Sequence, residues 1–444
     1  MSYIPHTQQD IEKMLQDIGL SSIDELFLQI PSSLKIKDLN IPSALPEKNL
    51  KEKIRKLAKK NNPLYNFNSF LGAGIYSHYI PSALKYLSNQ PQFLTAYTPY
   101  QAEISQGILQ ALYEYQSYIC ILTGLEVSNA SLYDGASALA EAVLMSLRIN
   151  KKNKVLLSRS IHPQYREVVK TYLAPHDFII KEIPFTEKGF LDLKILEEEL
   201  EDASCFALQS PNFFGLVEDL GKIRRIVKER EVILILVTNL LSLAILKEPS
   251  QEGVDIVCGD TQVLGGFPSW GGSTCGFLAA KKEFLRQIPG RLVGETCDKE
   301  GKRAFCLTLQ TREQHIRREK ATSNICTNHS LEAIRTAIYL ALLGREGFEK
   351  VALYSLNLAH YLYECLGKIK KVDFPFSSRF FNEFVWKIDN AKRVLEKLYE
   401  KKIIGGLLLE KYYPELKDCV LSFTPETKTK EEIDEFISIL SSIV

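Results

Sequence analysis

Between Lys154 and Ala280 the chain repeats one pattern, a short apolar run followed by a longer segment of helical period. KVLLSRS, DFIIKEIPF, CFALQSPN, VILILV and DIVC are rich in β-branched and other apolar residues and alternate little, as strands buried on both faces do. Helices are predicted between them from Pro163 and over Gly221–Arg230. Several β-α units in series predict an α/β fold with a doubly wound, mainly parallel sheet. Ahead of them, Ile104, Ile108, Leu112, Tyr115, Ile119 and Leu122 recur at spacings of three and four and predict an amphipathic helix stopped by Gly124. A further helix opens at Asp134-Gly135-Ala136-Ser137-Ala138.

The two ends read differently. The first fifty residues predict short helices, with Thr7 and Ser22 as N-caps and Ser22–Glu25 as a capping box. Lys51–Lys60 is a basic run that reads as a solvated helix face. Past Asn328 the pattern predicts helices over Ser330–Gly344 and Gly347–Lys368, a strand in NEFVWKI and a helix near Ala391–Lys402. A strand in DCVLSF and a closing helix boxed by Thr429 and Glu432 complete it. The expected organisation is an N-terminal helical segment (1–70), a large α/β domain (71–327) and a smaller C-terminal α+β domain (328–444).

Charge narrows the classes of partner. With 55 basic and 54 acidic side chains the net charge is +1, so no long-range field favours nucleic acid or an anionic membrane. The longest apolar run, Val232–Leu246, is broken by Thr238, Asn239 and Ser242 and is short for a bilayer span. The N-terminus lacks the basic-then-apolar order of a signal peptide. Nine cysteines without a CxxC pair or a neighbouring histidine cluster point to reduced thiols in the cytoplasm and to no metal site.

Candidate chemistry gathers in Val232–Gly272. In open α/β sheets ligands bind beyond the carboxyl ends of the strands, which brings Asn239 and the loop Gly259–Gly272 to such a site. Gly135, Ala136, Ser137 and Ala138 at a helix start suit either the approach of an anion to exposed N–H groups or tight packing. His162, just past a strand, is placed either to stack on a ligand or to serve structure. In Thr311–Thr327, Arg312, Arg317, Arg318 and Lys320 suit either an anion clamp or salt bridges with Glu313 and Glu319; if Arg312–Lys320 is helical, Ile316 is its only apolar side chain. No GxGxxG follows a strand, which argues against a dinucleotide site.

The motifs YTPYQAEISQG (Tyr97–Gly107), DGASALAEA (Asp134–Ala142), PGRLVGETCDKEG (Pro289–Gly301) and TREQHIRREKATSNICT (Thr311–Thr327) resemble the P protein of the glycine cleavage system. The resemblance is dense from Leu71 to Asn328, and the length is similar to that of subunit 1, the N-terminal-half subunit of the family's two-chain form. It implies a fold-type I architecture of the kind found in transferases dependent on pyridoxal phosphate (PLP). It also implies a reaction in which glycine loses CO2 and its aminomethyl group passes to the lipoyl arm of the H protein, with PLP as electron sink.

One feature departs from what such chemistry needs. A lysine is required to hold PLP, yet none occurs between Lys247 and Lys281, and Gln262 or Val263 stands at the expected place. The acid usually paired to the pyridine nitrogen is replaced by Asn239. The expectation is a chain that binds no cofactor itself and completes a complex whose PLP lies in a second subunit, with lipoylated H protein and glycine as the other partners. Tyr97, Thr98, Tyr100 and Gln101, with His78, Arg312 and His315, are the candidates to wall the partner's site or the interface. A vestigial anion site is conceivable at Gly135, Ala136 and Ser137. The competing readings are an autonomous PLP enzyme with a lysine from elsewhere, and a regulatory or scaffolding homologue without catalysis.

Overall fold

The computed structural model describes residues 5–36, 38–94, 99–325 and 327–444. The chain divides into two compact units, Met1–Pro63 and Leu64–Val444. In the first, α1 (Gln8–Asp17) begins with a capping box in which the Thr7 hydroxyl accepts the Asp10 N–H and the Asp10 carboxylate accepts the Thr7 N–H. The box expected at Ser22 does not form. Ile23–Phe27 is a single 3-10 segment, and the Ser22 hydroxyl donates to Glu25 without capping any backbone N–H. The basic run lies on α2 (Glu47–Ala58), which buries no residue.

The second unit is organised by a seven-stranded sheet. Its strands are β1 (Val127–Ser128), β2 (Lys154–Ser158), β3 (Ile179–Ile183), β4 (Ala203–Gln209), β5 (Ile233–Val237), β6 (Ile256–Asp260) and β7 (Gly276–Ala280). Their order is β1-β7-β6-β5-β4-β2-β3. The pairs from β3 to β6 are parallel, while β7 runs antiparallel to both its neighbours. The apolar sequence of β7 is compatible with either direction, and the connection over residues 261–275 is long enough for either.

Alternate residues of each strand serve two different cores, which is why the runs look uninterrupted. Leu234 and Leu236 of β5 join a cluster with α3 (Gln106–Thr123), through Ile108, Leu112, Tyr115 and Ile119. Ile233, Ile235 and Val237 join the opposite one, with Leu139, Val143 and Leu147 of α4 (Gly135–Asn150) and Val169 of α5 (Pro163–Leu173). Gly124 ends α3 in the left-handed conformation (φ 70°) that suits glycine best. With both faces covered by helices, burying a Leu or Ile side chain contributes about 2 kcal/mol.

A hairpin of β8 (Leu292–Cys297) and β9 (Arg303–Thr308) follows the large sheet. The two helices expected after Asn328 are one element, α6 (Ser330–Leu366), broken at Gly344 where φ is 59°. Its early residues Ala333, Ala337 and Leu340 enter the α3-side core. Its late residues Ala359, Leu362 and Leu366 enter a third core. That core lies under the antiparallel strands β10 (Glu383–Lys387), β11 (Leu407–Leu408) and β12 (Cys419–Phe423) and the helices α7 (Ala391–Glu400) and α8 (Lys430–Ile443). Among the described residues no helix is long and apolar enough to cross a membrane.

Candidate functional site

The carboxyl ends of β4, β5 and β6 meet the turn Gly74–Tyr76 and the start of α5 around a cavity of about 50 Å³. Its lining includes Tyr76, His162, Tyr165, Asn239, Asp260 and Gln262. The stretch Val232–Gly272 therefore does converge on one place, but what it forms there is a nearly filled space with room for a few water molecules.

Gln262 fills much of it. Its Oε1 accepts the Tyr76 N–H at 2.9 Å, and its Nε2 donates to the carbonyls of Tyr76 and Gly266, both at 2.8 Å. Every hydrogen-bonding direction except one acceptor lone pair is used, so the side chain is a staple between two loops. Val263 is 3% exposed and belongs to the α3-side core. Asn239 caps the short 3-10 helix Leu240–Ala244, its Oδ1 accepting the Leu241 N–H at 3.0 Å. An amide engaged in that way carries no charge for a pyridinium nitrogen.

His162 closes the cavity from another side. Its Nδ1 accepts the Gln164 N–H at 3.2 Å, which leaves Nε2 to carry the proton and donate to the Ala73 carbonyl at 3.0 Å. Burial pushes the imidazole down to about 4, so the ring is neutral at physiological pH. It packs 4.8 Å from Phe213 and 4.9 Å from Tyr165, centroid to centroid.

The start of α4 is also engaged. Asp134 caps the helix, its Oδ1 accepting the Ser137 N–H at 2.7 Å. The Gly135 N–H donates to Oδ2 of Asp260 at 3.1 Å, and the other oxygen of Asp260 accepts the Gln262 N–H at 2.8 Å. Burial pushes the Asp260 carboxyl up to about 6, against the pull of these donors. A Cβ at Gly135 would lie 2.2 Å from the Tyr165 hydroxyl and 2.9 Å from the backbone of Gly259. Two carboxylates and a phenol thus surround the start of α4. The residues present do not fit PLP: no lysine lines the cavity, Asn239 is an uncharged amide, the space holds only a few water molecules, and the helix start is already faced by negative charge.

Of the remaining candidates, Tyr97 and Thr98 lie outside the described residues. The Tyr100 hydroxyl accepts a hydrogen bond from Arg291 Nη2 at 2.7 Å, and the Arg291 guanidinium sits 5.1 Å from the centroid of the same ring. Arg291 and Glu313 are both buried, with Nε 3.6 Å from the carboxylate. The same carboxylate oxygen is 3.6 Å from Nδ1 of His315, whose ring meets Tyr100 edge-on at 5.9 Å. The fold therefore brings Tyr100 and His315 together on a buried Arg291–Glu313 pair, with Gln101 exposed beside them.

Arg312 is adjacent in sequence but differently spent. Its guanidinium donates to the carbonyls of Leu309, Ile288 and Gly290, so it is neither an anion clamp nor a salt bridge within this chain. Arg312–Lys320 is not one helix: Gln314–Arg317 is a single turn and Arg318 adopts φ 56°. His78 belongs to another cluster, its Nδ1 2.7 Å from Glu426 and its Nε2 without a partner. The sequence marks none of Asp260, Tyr76 and Tyr165 as a site residue, Glu313 only as a salt-bridge partner, and Arg291 only within the motif Pro289–Gly301. The Pro289–Arg291 turn and the lone acid in the glycine-rich loop were the signals available for two of them.

Comparison with known proteins agrees with the architecture. The family model of the glycine cleavage system P-protein matches residues 1–440. "Probable glycine dehydrogenase (decarboxylating) subunit 1" of Carboxydothermus hydrogenoformans is 46% identical over 443 residues, covering 99% of each chain. The protein of the same name from Thermotoga maritima is 47% identical over 442 residues, again covering 99% of each. A crystal structure of glycine decarboxylase (P-protein) of the glycine cleavage system, in inhibitor-bound form, superposes with a TM-score of 0.93 at 40% identity over the whole of both chains. Lactobacillus brevis glutamate decarboxylase shares the fold alone, with a TM-score of 0.69 at 11% identity over 95% of this chain and 96% of its own. The sheet order, the two-sided core and these matches place the chain in one family: it belongs to the glycine cleavage system P-proteins, with the fold-type I architecture.

Proposed function

We propose that this chain is the cofactor-free subunit of a two-chain glycine dehydrogenase (decarboxylating). It works with a second subunit that carries PLP, and the pair decarboxylates glycine and passes the aminomethyl group to the lipoyl arm of the H protein in the cytoplasm. The observation that carries this reading is the filled cavity at the ends of β4–β6. Gln262 staples the loop where a lysine is needed, and Asn239 stands where an acid is needed. PLP supplies the electron sink where it is bound; this chain supplies walls.

Tyr100, Gln101 and His315 are assigned to the wall facing the partner's cofactor. Tyr100 and His315 are partly exposed yet anchored on a buried ionic pair, which is how an interfacial side chain is held in a fixed direction. Arg312 and His78 are assigned to holding loops within this chain, Arg312 through the carbonyls of Leu309, Ile288 and Gly290 and His78 through Glu426. The experiment is reconstitution: purified chain, purified second subunit and lipoylated H protein, assayed for CO2 release from glycine separately and together. Activity confined to the mixture supports the reading, and activity of the lone chain contradicts it.

A further inference from the structure

Two carboxylates meet the start of α4, each taking a different backbone N–H. Asp134 precedes the helix and caps it in the usual way, taking the Ser137 N–H. Asp260 comes from the end of β6, 125 residues later in the chain, lines the central cavity and takes the Gly135 N–H from that side. The capping box at Asp134 engages the Ser137 N–H and leaves the Gly135 N–H to Asp260. The local chemistry at Gly135 is that of an anion seat: a helix N-terminus, a residue without a side chain, and an N–H held by a carboxylate that lines a cavity at the carboxyl ends of parallel strands.

We propose that the Asp260 carboxylate is the built-in occupant of this seat, standing where a ligand's phosphate would bind and closing the pocket to phosphorylated ligands. Its second oxygen holds the Gln262 N–H at 2.8 Å, and Gln262 in turn staples the Tyr76 loop. One carboxylate therefore ties α4, β6 and two loops together and keeps the negative charge of the seat internal. A phosphate entering the seat has to displace Asp260 and then lie against it and Asp134, a like-charge contact that disfavours binding. The pocket is in this sense shut from within, in addition to lacking a lysine.

The test is calorimetric titration of the full chain with inorganic phosphate, with PLP and with unphosphorylated pyridoxal, for wild type, Asp260→Ser and Asp260→Asn. Asp260→Ser is expected to bind both phosphorylated probes at least about tenfold more tightly than wild type, with pyridoxal unchanged. Asp260→Asn keeps the shape, removes the charge and is expected to show a smaller gain of the same kind; it carries the test if Asp260→Ser does not fold. Equal phosphate affinity in wild type and both variants overturns the proposal, as does a gain of the same size for pyridoxal. The result is separable from the assignment of PLP to the second subunit. A Schiff base formed by wild type on a lysine elsewhere contradicts that assignment and leaves the role of Asp260 standing.

Discussion

Gln262 and the backbone of Tyr76 clasp each other: the Tyr76 N–H donates to Oε1 at 2.9 Å, and Nε2 donates back to the Tyr76 carbonyl at 2.8 Å. Gln262, one of the two residues proposed to stand where a lysine would hold the cofactor, therefore has a structural task. Gln262→Lys loses the acceptor for the Tyr76 N–H in a buried place, and we expect it to lower stability by about 2–3 kcal/mol in urea denaturation. Lysine at Val263 enters the apolar core and costs more. Neither single substitution is expected to give glycine decarboxylation without a second subunit, because Asn239 and Asp260 remain. Measurable turnover by either lone variant contradicts this.

Tyr100→Phe removes the oxygen that accepts from Arg291, while the ring and its contact with the guanidinium remain. Nε and Nη1 of Arg291 already lack hydrogen-bond partners, so the loss leaves a buried cation less satisfied, at about 1–2 kcal/mol. Reduced activity of the reconstituted complex, with the complex intact on gel filtration, is the expected result. A wild-type rate denies Tyr100 a role in the wall. Loss of assembly makes the role purely structural.

Glu313 balances Arg291 in the same buried cluster and also faces His315. Removing one partner of a buried ion pair leaves the other uncompensated, so Glu313→Gln is expected to cost about 3 kcal/mol. The exposed control Glu300→Gln, whose carboxylate pairs with Lys302 in solvent, is expected to be near neutral on the same urea curves. Equal effects of the two substitutions are incompatible with a buried pair at Arg291.

Close packing at the start of α4 gives a steric prediction. Gly135→Ala brings a methyl group within 2.2 Å of the Tyr165 hydroxyl and is expected to destabilise by about 1–3 kcal/mol. Tyr165→Phe in the same chain should recover part of that loss. A double-mutant cycle with no coupling between the two positions rules the contact out.

Glu383 gives a pH dependence. Its carboxylate accepts the Ala73 N–H and the Tyr76 hydroxyl, at 2.7 and 2.8 Å, and burial pushes it up to about 7. A folded value above the unfolded one, about 4.3, means a contribution to stability that is complete below that unfolded value and lost as pH rises toward neutrality. Glu383→Gln lacks this loss. The stability of the variant relative to wild type is therefore expected to rise by on the order of 2 kcal/mol between about pH 4.5 and pH 8, by urea midpoints. A constant difference across that range shows that the group does not titrate as described.

Much of the fold was legible because strands buried on both faces and helices with capped ends leave local marks. β5 and α3 lie within a residue or two of where their apolar patterns put them. The lack of a lysine between Lys247 and Lys281 and the amide at Asn239 were legible directly in the sequence. Contacts between residues far apart were not. Asp260 reads as one acid among glycines until β6 ends beside Gly135, and Arg291 and Glu313 are 22 positions apart in a stretch with several other charges. Arg312 looked available for a ligand because its three acceptors are backbone carbonyls, which sequence does not distinguish.

The most direct measurement is the absorbance spectrum of the purified chain with PLP, alone and then mixed with the lysine-bearing second subunit, with glycine decarboxylation assayed in both samples. We expect no Schiff-base band and no activity from the chain alone, and both from the mixture. A Schiff-base band with decarboxylation by the lone chain contradicts the assignment of the cofactor to the partner.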